Sequence, residues 1–350
     1  MPETADQAVL RARVDRVLEQ FVEDELRELV AVDEALGPLA GALRTATARG
    51  KRLRAAFCYW GWRGAGQPDS DALVRAAASM ELVHAAAVVH DDLIDESLVR
   101  HGGPTAHVAL RTAFTGRPAA HARARSLAML AGDLLMAWAG QLFTTCGLPA
   151  AYLSRARDLW TTLSRELVAG EALEILHTAD RPDVARSLKV IRYKTAKYTV
   201  EHPLHIGAAL AGAPVALKEA FTGYGLPLGE AFQLRDDLLG VFGDPEVTGK
   251  SNTDDLSGAR PTALVAAAWE TATTSERREM SAVLGGGEVD ARRLERLRHI
   301  LQRTGARARV ENMVTERVRL ATDALRTASL PHPAHRALTH LATASTTRQG

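Results

Sequence analysis

Between residues 90 and 107 the chain reads HDDLIDESLVRHGGPTAH, which gathers three aspartates, a glutamate, an arginine and three histidines into eighteen positions. With MELVHAAAVV before it, the stretch reads as a helix whose apolar body turns acidic toward its C-terminal half. Asp91 and Asp95 are four apart and share a helical face, while Asp92 sits about 100° around. Like charges at that spacing repel, and acidic groups near a helix C-terminus oppose the macrodipole, so the arrangement costs stability unless a cation compensates. A lone DxxxD is as readily the solvated end of an acidic helix. The small apolar run AAAVVH before it suggests instead that the carboxylates stand at the mouth of a buried cavity.

A second acidic cluster shifts the balance. FQLRDDLLGVFGDPEVTGK carries Asp236 and Asp237 on another amphipathic helix, with Gln233 one turn earlier and Lys250 fourteen residues after Asp236. Two aspartate pairs on two helices can face one another across a bundle. Mg²⁺ prefers oxygen donors, usually one or two protein carboxylates with phosphate and water supplying the rest. The pairing therefore points to a diphosphate held by magnesium. Cations elsewhere suit the same ligand: GKRLR at 50–54 offers Lys51 and Arg54 at a helix start, and RYKTAKYT at 192–199 offers Lys194 with Thr195. Taken alone, a basic run such as GKRLR is a solvated face, and His84, two turns before Asp91, is a core histidine.

The elements that must position these groups are helical nearly throughout. Val14–Leu29 and Asp158–Leu176 carry apolar residues at three- and four-residue spacing, alanine is abundant and alternating β-branched runs are scarce. Breakers such as RHGGPT, TCGLP, GDPEVTGKSN and LGGG divide the chain into about ten to thirteen helices. None is long or biased enough to be a linker. The expectation is one all-α bundle over residues 1–350, with poorly ordered ends at about 1–7 and 332–350.

Composition narrows the class of function. At 350 residues, 46% hydrophobic and 24% charged, the chain can bury a sizeable core. Forty-three basic against forty-two acidic residues leave a net charge of +1, so no global field recruits nucleic acid or an anionic membrane. Cys58 and Cys146 match no metal or redox spacing and read as core thiols in a reducing compartment. The opening MPETADQAVL lacks a leader's basic and apolar regions, and no run reaches about 18 uninterrupted apolar residues, so the expectation is a cytoplasmic protein without a transmembrane segment.

GKRLR, ELVHAAAVVHDDLIDESLVRHGGPTAH, RYKTAKYT and FQLRDDLLGVFGDPEVTGK, in this order, resemble the trans-prenyl diphosphate synthases, most of all the bacterial geranylgeranyl diphosphate synthases. The match runs from about Gly50 to Thr262. The resemblance implies an all-α bundle around a deep cavity, a homodimer, Mg²⁺ as cofactor with three ions per active site, and isopentenyl diphosphate plus an allylic diphosphate (dimethylallyl, geranyl or farnesyl) as substrates. It makes Asp91, Asp92 and Asp95 the first metal motif and Asp236 with Asp237 the second. Lys51, Arg54 and His84 align with residues that hold isopentenyl diphosphate. Arg100, Lys194 and Lys250 align with those that neutralise the allylic diphosphate, and Thr195 and Gln233 with polar groups near the forming cation.

Four departures stand out. His101 replaces a second arginine at the substrate site, Gly240 replaces the last aspartate of the second motif, GEALE at 170–174 has glutamates for Gln and Asp, and Arg260 replaces a lysine. The resemblance also makes Ala86 and Ala87, one turn before Asp91, the positions that set product length. Two alanines leave a channel open beyond farnesyl, so geranylgeranyl diphosphate is expected, with longer products next and a channel floor near Met129 or Leu130. Two other classes compete: a class I terpene cyclase, which needs only one diphosphate, and a non-catalytic partner subunit, which would have lost first-motif aspartates.

Overall fold

The computed structural model describes residues 4–100, 102–178, 180–243, 261–284 and 290–346. Helix α1 (Ala5–Val32) starts where the Thr4 side chain accepts the Gln7 N–H. The chain continues through α2 (Gly37–Thr47), α3 (Leu53–Gly64) and α4 (Asp71–Ile94). A small antiparallel hairpin of β1 (Val99–Arg100) and β2 (Gly103–Pro104) follows, pairing Arg100 with Gly103. Then come α5 (Ala106–Arg111), α6 (Ala120–Thr144), α7 (Ala150–His177) and α8 (Val184–Val190). From Ile191 to Glu201 the helix widens into π turns before resuming as α9 (His202–Leu210). The remainder is α10 (Val215–Phe242), α11 (Ala263–Thr271), α12 (Thr274–Leu284), α13 (Ala291–Arg303), α14 (Ala306–Thr327) and α15 (His332–Thr346). The fold is all-α, as the periodicity implies, and the hairpin holds the only strands among the described residues.

Helix extends further toward both ends than the sequence suggests. The Ala5 start falls inside the expected disordered opening, and α15 fills most of the expected disordered tail. Leu338, Leu341 and Ala342, at helical spacing, are buried in the main core, and Tyr224 donates its hydroxyl to the Leu338 carbonyl at 2.8 Å. That burial ties down a segment expected, as a chain end, to be poorly ordered.

Two large apolar clusters and a small one, of Ala42, Leu110, Ala124 and Ala128, hold the bundle. The larger joins α1, α3, α4, α6, α9 and α15, and the second joins the C-terminal half of α10 to α11, α13 and α14. Helices α4 and α6 do have the length and apolarity of a membrane span, a property the charge-interrupted runs conceal in the sequence. In α4, 72% of that window is buried inside the bundle, and in α6 44%. The π stretch sits where helices approach closely: a Cβ on Gly170 of α7 would lie 2.3 Å from the Lys194 nitrogen, and one on Gly229 of α10 would lie 2.4 Å from Ala196 Cα. Only glycine admits such contact between backbones.

Candidate active site

The centre of the site is Lys194, in the π stretch. Its Nζ lies 2.9 Å from Asp91 Oδ1 on α4 and 2.8 Å from Glu171 Oε2 on α7, and it is also paired with Glu174. Burial alone would drag the ammonium's pKa down, but Glu174, Asp91 and Glu171 together hold it above its ordinary value, so it is cationic. Burial pushes the Glu174 carboxyl up, against the pull of Lys194. One Oε1 of Glu171 is buried with no hydrogen-bond partner. The two glutamates that depart from the family pattern are thus both partners of the lysine, a contact that the sequence analysis missed. Their spacing of three on α7 was the available signal.

The next residue turns to the opposite wall. Thr195 Oγ1 donates to Gln233 Oε1 at 3.0 Å, and Gln233 Nε2 donates to Asp237 Oδ1 at 2.9 Å. The Lys194–Thr195 pair therefore bridges the two aspartate helices, α4 and α10. A π turn alters the angle between successive side chains, and such turns are frequent at functional sites. Asp236 is half-buried on the same helix as Asp237, and Gly240 occupies its last turn.

Helix α4 ends inside the first motif. Asp95 is its C-cap and donates its N–H to the Asp91 carbonyl at 2.9 Å, which preserves the shared face expected of these two residues. Asp92, rather than pointing idly aside, is buried and bound by Arg100 from the hairpin: Arg100 Nε donates to Asp92 Oδ1 at 2.9 Å, and its terminal nitrogen also reaches Asp91 at 3.4 Å. All five aspartates offer oxygen donors, the set that suits Mg²⁺ rather than a softer ion. Among the described residues no group of three acidic, histidine or cysteine side chains is placed to hold a metal ion by itself.

A second group of cations lies across α3, α4 and the π stretch. Arg54 is buried over the Tyr198 ring at 4.3 Å and donates to the Tyr198 hydroxyl at 2.6 Å and to Thr199 Oγ1 at 3.0 Å. The same Tyr198 hydroxyl lies 2.9 Å from His84 Nδ1, so His84 has a site partner instead of serving only as a core histidine. Glu81 Oε1 accepts the Ala55 N–H at 2.9 Å, satisfying one of the free donors at the start of α3. Lys51 stands in the loop just before that helix. Tyr198, Thr199 and Glu81 were missed in the sequence because their partners lie on other helices. His101, Lys250 and Arg260 lie outside the described residues.

The two positions expected to set product length separate. Ala86 has no exposed surface and packs in the main core, whereas Ala87 is half-buried and keeps some. Adjacent helical residues diverge by about 100°, so only one of the two can face an open channel. Met129 and Leu130 do not form a floor beneath it. They lie on the outer face of α6 with 48% and 50% of their surface exposed.

The polyprenyl synthetase family model matches residues 38–301, across both aspartate motifs, the GKRLR loop and the π stretch. The chain belongs to the polyprenyl synthetase family. This is a family of prenyltransferases, the trans-prenyl diphosphate synthases. A solved polyprenyl synthetase structure, the geranylgeranyl pyrophosphate synthase of Corynebacterium glutamicum complexed with isoprenyl diphosphate and magnesium, is 31% identical, with a TM-score of 0.91 over 97% of this chain and 99% of that one. The geranylfarnesyl diphosphate synthase of Aeropyrum pernix is 34% identical over 82% of this chain and 86% of its own length. A (2E,6E)-farnesyl diphosphate synthase of Mycobacterium tuberculosis is 35% identical over 61% of this chain, and the match spans 55% of that relative's length. These polyprenyl synthetases are named for three different product lengths.

Proposed function

We propose that this chain joins an allylic prenyl diphosphate to isopentenyl diphosphate, releasing diphosphate and forming a trans-prenyl diphosphate, with geranylgeranyl diphosphate as the main product. The observation that carries the reading is the Lys194–Thr195 pair, which touches Asp91 on one aspartate helix and, through Gln233, Asp237 on the other. Two acidic clusters bridged by the Lys194–Thr195 pair form a place for a diphosphate and its counter-ions. Arg54 with His84 forms a separate place for a second one.

The chemistry follows from these placements. The allylic C–O bond breaks heterolytically once the departing diphosphate's charge is neutralised, and Lys194 is a fixed cation there that needs no reorganisation. Asp91, Asp95 and Asp236 would hold Mg²⁺, which would supply the remaining positive charge as a Lewis acid. The double bond of isopentenyl diphosphate, anchored by Lys51, Arg54 and His84, attacks the allylic cation and forms the new C–C bond. Transfer of a proton from the adjacent carbon to the departed diphosphate then restores an alkene. Thr195 and Gln233 place oxygen dipoles beside the cation, and the apolar wall of α4 keeps water from quenching it.

The small, half-buried side chain of Ala87 supports a product longer than farnesyl. Relatives with shorter and longer products make length the finer part of this proposal. Exposed Met129 and Leu130 offer an apolar face of α6 for a second copy of the chain. The test combines purified protein, Mg²⁺, labelled isopentenyl diphosphate and each allylic primer, with products separated by chain length. Incorporation of label into a geranylgeranyl product supports the reading. A cyclic hydrocarbon formed from the allylic diphosphate alone, or no reaction with any primer, defeats it.

A further inference from the structure

Within GKRLR the proposed substrate site uses Lys51 and Arg54, but Arg52, which follows Lys51, is turned inward. Arg52 is 6% exposed, and its Nε donates to Asp15 Oδ1 on α1 at 2.7 Å, a partner 37 positions away. One terminal nitrogen donates to the Thr47 carbonyl at the end of α2 at 2.9 Å, and the other reaches the Arg49 carbonyl at 3.4 Å. Its backbone is left-handed, with φ 53 and ψ 39, at the cap of α3. An L residue with a Cβ crowds its own carbonyl in that conformation, and glycine or asparagine is the usual occupant. A non-glycine residue persists there only where the surroundings over-determine it.

We propose that Arg52 and Asp15 form a positioning clamp that aims Lys51 and Arg54 at isopentenyl diphosphate. Lys51 lies between Gly50, at φ 158, and the left-handed Arg52, so these neighbouring torsions set the direction in which its side chain leaves the loop. On the site side, Glu81 holds the Ala55 N–H, and Tyr198 and Thr199 hold Arg54. On the other side, the buried guanidinium ties the loop to α1 and to the last turn of α2. Asp15 is 40% exposed, and its other charged partner is Arg11 at 4.0 Å. It reaches the substrate only through Arg52. The clamp rests on the reading of Lys51, Arg54 and His84 as the isopentenyl diphosphate site.

The test uses the full chain with Mg²⁺ and compares Asp15→Asn, Arg52→Gly and Arg52→Lys for kcat, KM for each substrate and melting temperature. Arg52→Gly makes the left-handed backbone costless while removing the clamp, and Arg52→Lys keeps the charge but loses the forked hydrogen bonds. KM for isopentenyl diphosphate should rise about tenfold in Asp15→Asn and more in both Arg52 variants, with kcat and allylic KM within about twofold of the parent. Should an Arg52 variant fail to fold, Asp15→Asn alone decides between the outcomes, because a half-exposed carboxylate is the mildest place to cut the clamp. An unchanged KM for isopentenyl diphosphate overturns the clamp, as does an equal loss in kcat and both KM values, which signals a general structural role. A parent enzyme whose rate does not depend saturably on isopentenyl diphosphate overturns the site reading itself, and the clamp with it.

Discussion

Lys194 Nζ lies 2.9 Å from Asp91 Oδ1, so the lysine of the π stretch and the first aspartate of the α4 motif form one charged unit at the mouth of the site. Removing the aspartate leaves Lys194 still paired with Glu171 and Glu174, so the fold should tolerate the loss. Asp91→Ala and Asp236→Ala are each expected to cut turnover by at least ~10²-fold, as loss of a strong electrostatic stabiliser commonly does. Steady-state rates at saturating Mg²⁺, alongside circular dichroism, check this. Near-parental turnover in either variant removes that residue from the metal clamp.

Gly170 carries the contact that brings α7 against the lysine's own backbone. A methyl at this position would stand 2.3 Å from the Lys194 nitrogen, with backbone rather than a flexible side chain in its way. Gly170→Ala should therefore cost about 1–3 kcal/mol in stability, typical of overpacking. It should also lower kcat, because the π stretch must shift. A variant as stable and as fast as the parent would falsify the close approach.

Tyr198 offers its hydroxyl to Arg54 at 2.6 Å and to His84 at 2.9 Å. Tyr198→Phe keeps the ring beneath the guanidinium but leaves both groups without that partner. Hydrogen bonds to charged groups contribute about 1.5–3 kcal/mol, so KM for isopentenyl diphosphate should rise by at least about tenfold. Kinetics with the allylic substrate held saturating will show it, and a KM unchanged within error excludes Tyr198 from positioning these residues.

Ala86 and Ala87 should respond differently to the same change. Phenylalanine at the wholly buried Ala86 overpacks the core and should cost about 1–3 kcal/mol of stability. At the half-buried Ala87 the ring should shorten products toward farnesyl while turnover stays within about tenfold, since it leaves the diphosphate contacts alone. Product chromatography and thermal melts on both variants separate the outcomes. Equal chain shortening in the two would show that the channel follows a different face of α4.

Glu276 caps the start of α12. The Thr273 backbone N–H, 2.8 Å from its Oε2, and the Arg303 guanidinium hold its carboxyl down to about 2. Together with the Glu276 N–H on Thr273 Oγ1, these bonds make a reciprocal cap at the start of α12. A depressed carboxyl contributes stability that is present above its ordinary value of 4.5 and lost as pH falls toward about 2. Melting temperature measured from pH 6 to about pH 2 should fall less steeply in Glu276→Gln than in the parent. Parallel curves would show that the carboxylate contributes nothing.

What the sequence determined by itself was the helical character of the chain and the chemical alphabet of the site. Three- and four-residue apolar spacing fixes amphipathic helices locally, and aspartates four apart on one helix share a face whatever packs around them. Asp91 and Asp95 were legible as a pair for that reason, whereas the roles of Lys194, Gln233 and Arg54, and the family itself, were implied by the resemblance of the motifs. The tertiary structure alone decided the partners. Glu171 and Glu174 meet Lys194 because Gly170 lets two backbones touch, Tyr198 joins Arg54 to His84 across three helices, and Arg52 turns inward to find Asp15. The burial of Ala86 and the partial exposure of Ala87, the outward turn of Met129 and Leu130, and the docking of α15 were likewise decided by packing. Spacing along a helix fixes a residue's face, but which neighbour covers that face depends on contacts between segments far apart in the chain.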